Sequence, residues 1–276
     1  MKISVIIPIH EYNDELSGLM TKAVESVIRQ NTAEQPKILL VYPTELDDSI
    51  NGLKNSIIEK NASSGTTEED IILIKNDGLS DYQSQVNLGV ANVTTDYFSV
   101  LEFDDEYGET YFTNALKYIE NFPEIDILMT MMIEVNDKNE GIKLTNETVW
   151  AQQFVGENGE MGYLNVNALK QYTDFKLSGA VIKTSEFKNL GGYKTNIKMT
   201  FMYEFLLRAL NNASKIFTIP KIGYKHFATR KGSLFQGYLE TMPIPERKFW
   251  FETATKESNF INDRPIDTSK IMTVVK

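Results

Sequence analysis

The chain contains no cysteine and only two histidines, His10 and His226. Without cysteine there are no disulfides and no thiolate metal sites. No stretch approaches the ~20 consecutive apolar residues that a membrane-spanning helix needs. The opening "MKISVIIPIHEYND" turns polar too soon for a secretory leader, so a cytoplasmic protein is expected. Four N-x-S/T sequons (Asn61, Asn92, Asn146, Asn212) carry no meaning without such a leader. The first apolar run opens into "PIHEYND", which has no glycine, so the dinucleotide fingerprint G-x-G-x-x-G is missing. G-x-x-x-x-G-K-[ST], H-E-x-x-H and G-x-S-x-G are missing too. Hydride transfer, phosphate-loop NTP hydrolysis, zinc proteolysis and elbow-serine hydrolysis therefore drop away.

What remains is 276 residues, 42% hydrophobic and 24% charged, ordinary for a globular protein with a real core. The formal charge is −10, which argues against indiscriminate nucleic-acid binding. Its distribution is uneven. From Phe205 to Leu239 there is no acid but six bases: Arg208, Lys215, Lys221, Lys225, Arg230 and Lys231. One positive stretch on an acidic protein suggests an anionic ligand bound locally.

"KISVIIP" (2–8) is short, apolar and β-branched, as in a buried parallel strand. Leu16, Leu19, Met20, Ala23, Val24, Val27 and Ile28 then form one helical stripe. "KILLVY", "IILIK" and "DYFSVLEF" read as further strands, with helices over 46–60 and from Ser80, whose pairing with Gln83 has the form of a capping box. A helix "TYFTNALKYIENF" and a strand "DILMTMMIEV" follow. Residues 135–175 look irregular; "SGAVIKTS" and "SKIFTIP" read as strands, "FMYEFLLRAL" and residues 244–260 as helices. The expected class is α/β, a mostly parallel, Rossmann-like sheet flanked by helices.

"VLEFDDEYGET" sets Glu102, Asp104, Asp105 and Glu106 at the carboxyl end of a strand. Ligands bind at such ends in parallel sheets. Crowded carboxylates repel, and a hard divalent cation, Mn²⁺ or Mg²⁺, relieves that repulsion. Strand alternation would put Glu102 and Asp104 on one face and Phe103 on the other. An EF-hand fails, because the glycine it requires would fall on Glu109. The plain alternative is a solvated acidic loop before a helix.

"ISVIIPIHEYND", "ESVIRQ", "QVNLGVANVTTDYFSVLEFDD", "GGYKTNIKMTFMYEFLLR" and "YKHFATRKGSL", in this order over residues 2–235, resemble the family-2 glycosyltransferases. The resemblance implies a glycosyltransferase A-type domain (1–235, with a nucleotide half 1–105 and an acceptor half 106–235) and a helical extension over 236–276. It implies a metal-dependent, inverting transfer from a nucleotide-sugar, usually UDP-linked. Asp104 falls on the metal-binding aspartate of the family's D-x-D motif and Glu102 on the first, giving E-x-D. Pro8, His10 and Glu11 fall where the first strand opens onto the nucleobase, and Asn87 on an asparagine beside the nucleotide. His226 matches a late histidine that completes the metal sphere or touches the diphosphate. Arg230 and Lys231 suit a lid over phosphate.

Two departures stand out. The family's base-reading acids after the second strand are replaced by Tyr42 and Pro43, so Tyr42 stacking or backbone groups are expected to read the base, and a nucleotide other than uridine is open. The family's "E-D", whose aspartate is the general base, is replaced by Phe201 and Met202. Methionine cannot accept a proton. Glu204 is the nearest acid and the first substitute expected; Glu157, Glu160 and Asp174 are others, and a silent sugar-nucleotide-binding protein is an alternative. The compact length also resembles short phage-encoded members that modify DNA bases, which would place the protein in a host cytoplasm. The acceptor is then hydroxymethylated or already glycosylated DNA, or else a surface glycan.

Overall fold

The computed structural model describes residues 2–257, except 152, 157, 229, 231 and 232. The first half alternates strand and helix: β1 (Ile3–Pro8), α1 (Asp14–Ile28), β2 (Lys37–Pro43), α2 (Asp47–Lys60), β3 (Ile71–Asn76), α3 (Tyr82–Asn92) and β4 (Tyr97–Val100). After these come β5 (Glu106–Tyr107), α4 (Tyr111–Asn121), β6 (Ile127–Val135), β7 (Gly141–Thr145), β8 (Gln153–Val155), β9 (Met161–Leu164), α5 (Val166–Gln171), β10 (Val181–Lys183), α6 (Thr184–Asn189), α7 (Phe201–Asn211), β11 (Ile216–Phe227), α8 (Leu234–Thr241) and α9 (Ile244–Glu257). One sheet runs β3-β2-β1-β4-β10-β6-β11-β9-β8, with β5 and β7 as side branches on β11 and β6. The four strands of the first half are parallel, as are β6 and β11, while β10 runs against both β4 and β6.

β1 is buried along its whole length because helices cover both faces. Its alternation divides the core. Val5 and Ile7 pack with α1, Tyr42 and Phe112; Ile6 packs with Phe98, Phe187 and Phe205 on the other face. The Asn13 carboxamide accepts from the Leu16 N–H at 2.9 Å and starts α1 as its N-cap. At α3 the cap is Asp81, not Ser80: its carboxylate accepts from Ser84 N at 2.9 Å and from Ser84 Oγ at 2.7 Å.

Two outcomes differ from the sequence reading in ways that matter for the site. β4 ends at Val100, so residues 102–105 form a turn closed by Asp105 N–H on the Glu102 carbonyl at 3.0 Å. β11 continues past Pro220 to Phe227, absorbing Pro220 and Gly223 in register shifts against β6 between Ile219 and Tyr224. That continuation carries His226 to the sheet edge where the acidic turn lies. At the far end of the chain, α9 packs on α7. Thr200 Oγ1 donates to the Trp250 carbonyl at 2.8 Å, and Tyr203 and Phe251 lie with ring centroids 6.0 Å apart.

Candidate active site

A cleft of about 270 Å³ opens at the carboxyl ends of β1 and β4. Pro8, His10, Glu102, Phe103, Asp104, His226 and Arg230 line its inner part; Asp174, Met202, Phe235, Tyr238 and Phe251 belong to its outer wall. Backbone hydrogen bonds fix the inner part: Leu101 N to Ile6 O at 2.9 Å, and Gly179 N to Val100 O at 2.8 Å. Gly179 has φ +75°, and a Cβ there would stand 2.3 Å from the Tyr224 ring. The Tyr224 hydroxyl accepts the Glu102 N–H at 3.1 Å, so this close approach holds the acidic turn in place.

Three donors converge. One ligand atom each from Glu102, Asp105 and His226 lies within 4.8 Å of the others. Asp105 is fully buried; it accepts from Phe227 N at 2.9 Å and holds His226 Nδ1 at 2.8 Å, so Nε2 is the ring nitrogen left for an ion. Burial alone would lower the His226 pKa, but Asp105 raises it to about 9. Burial, then Asp105, pushes Glu102 upward, although Ser178 Oγ donates to it. Burial and Glu102 likewise lift Asp104, against the pull of Arg230. Burial is the larger cause for both carboxyls, and their repulsion by neighbouring carboxylates adds to it. Two carboxylates and an imidazole oriented by a carboxylate fit a divalent cation. The group that could hold an ion is Glu102, Asp105 and His226, whereas the sequence pointed to Asp104 with His226.

Asp104 instead belongs to a second cluster. It accepts from Arg230 Nε, while Arg230 Nη1 reaches Glu11 at 3.3 Å and the guanidinium lies 5.1 Å from the Phe103 ring centroid. His10 packs on the same ring at 5.1 Å and faces Glu11 at 3.6 Å; burial lowers its pKa. Pro8, His10, Glu11, Glu102, Asp104, His226 and Arg230 are therefore brought together. Lys231 and Glu157 lie outside the described residues.

Three expected site residues sit elsewhere. Tyr42 is fully buried among α1 and α2 side chains and donates to Asp47 at 2.8 Å, so its ring has no face for a base. Asn87 bonds both Tyr193 N and Tyr193 O at 2.8 Å, tying α3 to the Gly191–Gly192 turn. It borders a separate hollow of about 720 Å³ with no carboxylate in its lining. Glu204 is fully buried in a two-pronged ion pair with Arg208, Oε1 to Nε at 2.8 Å and Oε2 to Nη2 at 2.9 Å. It is not placed to take a proton in the cleft; Met202, two residues earlier, lines it. Glu160 turns back to accept Asn158 N at 3.0 Å, away from the cleft lining.

The basic stretch is not one surface. Arg208 is buried, Lys225 pairs with Glu106 at 3.2 Å, Lys215 lies over Tyr163, and Arg230 points into the cleft. Residues that the sequence reading passed over complete the site. Ser178 bonds Glu102. Glu134, 5% exposed, pairs with Lys176 at 2.6 Å and Lys143 at 3.5 Å, and Lys143 reaches Asp174 at 2.5 Å.

The model of Glycosyl transferase family 2 matches residues 4–177, more than half of the chain. No curated protein sequence matches. Among solved structures, S. aureus TarS 1-349 in complex with UDP is similar at TM-score 0.62 and 17% identity, over 82% of this chain and 60% of that one. The UDP-GlcNAc complex of TarS 1-349 gives TM-score 0.63 and 16% identity, over 86% and 61%. TarS 1-349 without a named ligand gives 0.62 and 13%, over 96% and 82%. The chain thus spans about three-fifths of the two complexes. Among the described residues no helix is long and apolar enough to cross a membrane.

Proposed function

Since this chain belongs to glycosyl transferase family 2, we propose that its cleft moves a sugar from a UDP-sugar to an acceptor hydroxyl with inversion, assisted by a divalent cation. The observation that carries this is the convergence of Glu102, Asp105 and His226 at the strand ends, beside Arg230. A bound Mn²⁺ or Mg²⁺ would supply positive charge facing the diphosphate leaving group. Arg230, now on Asp104 and Glu11, is the side chain to exchange those carboxylates for phosphate oxygens. Lys231 is assigned the same role from its position in the sequence. His10 and Phe103, ring against ring beside Pro8, form the apolar wall next to the nucleotide.

In the transfer, the acceptor oxygen bonds the anomeric carbon as the bond from that carbon to the diphosphate oxygen breaks. The acceptor's proton needs a carboxylate. Of the acids lining the cleft, Glu102 belongs to the cation set, Asp104 to Arg230, and Glu134 is buried on Lys176. Asp174, its side chain 41% exposed and held only by Lys143 among its described ion pairs, is our choice of general base. A DNA acceptor loses its main argument, because the basic stretch does not form one phosphate-facing surface.

The test is UDP release from a panel of UDP-sugars, read with Mn²⁺ and after chelation, alongside calorimetric Mn²⁺ titration. Chelation is expected to stop release and added Mn²⁺ to restore it, while Asp105→Asn weakens Mn²⁺ binding about 10–100-fold. Release that ignores chelation, with unchanged Mn²⁺ binding in Asp105→Asn, would overturn the assignment.

A further inference from the structure

An aromatic ladder leaves the cleft on its outer side. Phe175, 3% exposed, lines the cleft; Tyr172 meets it edge-on at 5.1 Å and 88°. Trp150 lies flat on Tyr172, with centroids 4.6 Å apart and ring planes within 5°. Trp150 remains 37% exposed although one of its faces is taken by Tyr172. A large flat ring stacked on a second ring is held in one orientation at little further entropic cost. Thr173 and Asp174, which follow Tyr172 directly, line the cleft, so platform and cleft are continuous.

We propose that Trp150, backed by Tyr172, is an acceptor subsite for a saccharide. The proposal rests on the transfer reading above and names the acceptor class for it. A pyranose ring presents a face of C–H bonds that packs on an indole, while its equatorial hydroxyls point to the rim. There the half-exposed Asp174 carboxylate accepts hydrogen bonds, and Tyr172 keeps its phenol neutral because burial and Asp174 raise its pKa. Charge selects against the other stacking ligand, a nucleobase in a polynucleotide. Phosphates beside Trp150 would meet Asp174, Glu134 and Glu147, and the nearby cations Lys143 and Lys176 are already paired, Lys143 with Asp174 and Glu134 and Lys176 with Glu134. A neutral sugar pays no such repulsion.

The test is binding, measured apart from turnover. Wild-type protein and Trp150→Ala are titrated with short linear oligosaccharides of hexose and N-acetylhexosamine units, with oligothymidylate as the counter-probe, and with UDP as a donor-side control. One of the oligosaccharides is expected to bind wild type, and Trp150→Ala to lose about tenfold or more of that affinity. UDP binding and the circular-dichroism spectrum of the variant should stay unchanged. Tyr172→Leu, which removes only the backing ring, should weaken the same saccharide by a smaller factor. Saccharide binding indifferent to Trp150, binding of oligothymidylate instead, or UDP binding with no saccharide bound would each overturn the subsite. The last outcome leaves the donor reading standing, whereas failure of UDP itself to bind strikes that reading.

Discussion

Replacing Glu204 by glutamine tests which of two lives this carboxylate leads. In the structure it meets Arg208 through both oxygens, has Lys194 Nζ at 3.5 Å, and is shut off from solvent. Arg208 also donates to the carbonyls of Leu190 and Gly192, so the pair staples α7 to the Gly191–Gly192 turn. Glu204→Gln leaves a buried guanidinium without its counter-charge, a change that costs about 3–5 kcal/mol. Against a total stability of ~5–15 kcal/mol this is a large fraction. For a chain of this size each kcal/mol moves the melting temperature by about 2–4 °C, so a fall of about 6–20 °C is expected. The assay pairs a thermal melt followed by circular dichroism with UDP release measured well below the melt. Per folded molecule, release should match wild type. A melting temperature unchanged within 2 °C or so, with release reduced about a hundredfold, would refute the reasoning and restore Glu204 as a proton acceptor.

Two further outcomes follow from local geometry. Gly179→Ala places a methyl group against the Tyr224 ring at a backbone angle that disfavours it, and should cost about 2–4 kcal/mol in urea unfolding; a neutral result would mean the turn is not held as described. Asp70 is nudged upward by burial, but Lys37 and the bonds from Thr67 N and Oγ1 hold its pKa below the ordinary value. Its contribution is therefore complete above the unfolded pKa of about 3.9 and is lost as pH falls through the depressed folded value. Urea melts of wild type and Asp70→Asn should differ near neutral pH and converge in acid; a gap that persists in acid would contradict the assignment.

The first half was legible because its strands are buried on both faces and so appear as unbroken apolar runs, with α1 marked by a regular stripe. Residues 135–175 were not. β7 and β8 are short side or edge strands with mostly exposed residues, and they carry no alternation to read. Within the site, the choice of Glu102 with Asp104 assumed strand geometry that stops at Val100; the turn beyond it brings Asp105 round instead. Tyr42 and Asn87 were placed by their position in a family pattern, which does not say where a side chain goes in this chain. The Glu204–Arg208 pair is visible in the sequence, four residues apart on one helix, a spacing that favours an ion pair over a free base.

The outer wall of the cleft has a consequence for how this molecule can change. Phe235, Tyr238 and Phe251 come from the last two described helices, whereas Pro8, His10 and Asp104 come from the first hundred or so residues. His226 and Arg230, just ahead of those two helices, reach the same cleft, so distant stretches of the chain meet in one wall. Exchanging α8 or α9 would therefore reshape this wall while leaving Pro8, His10 and Asp104 on their own strand ends.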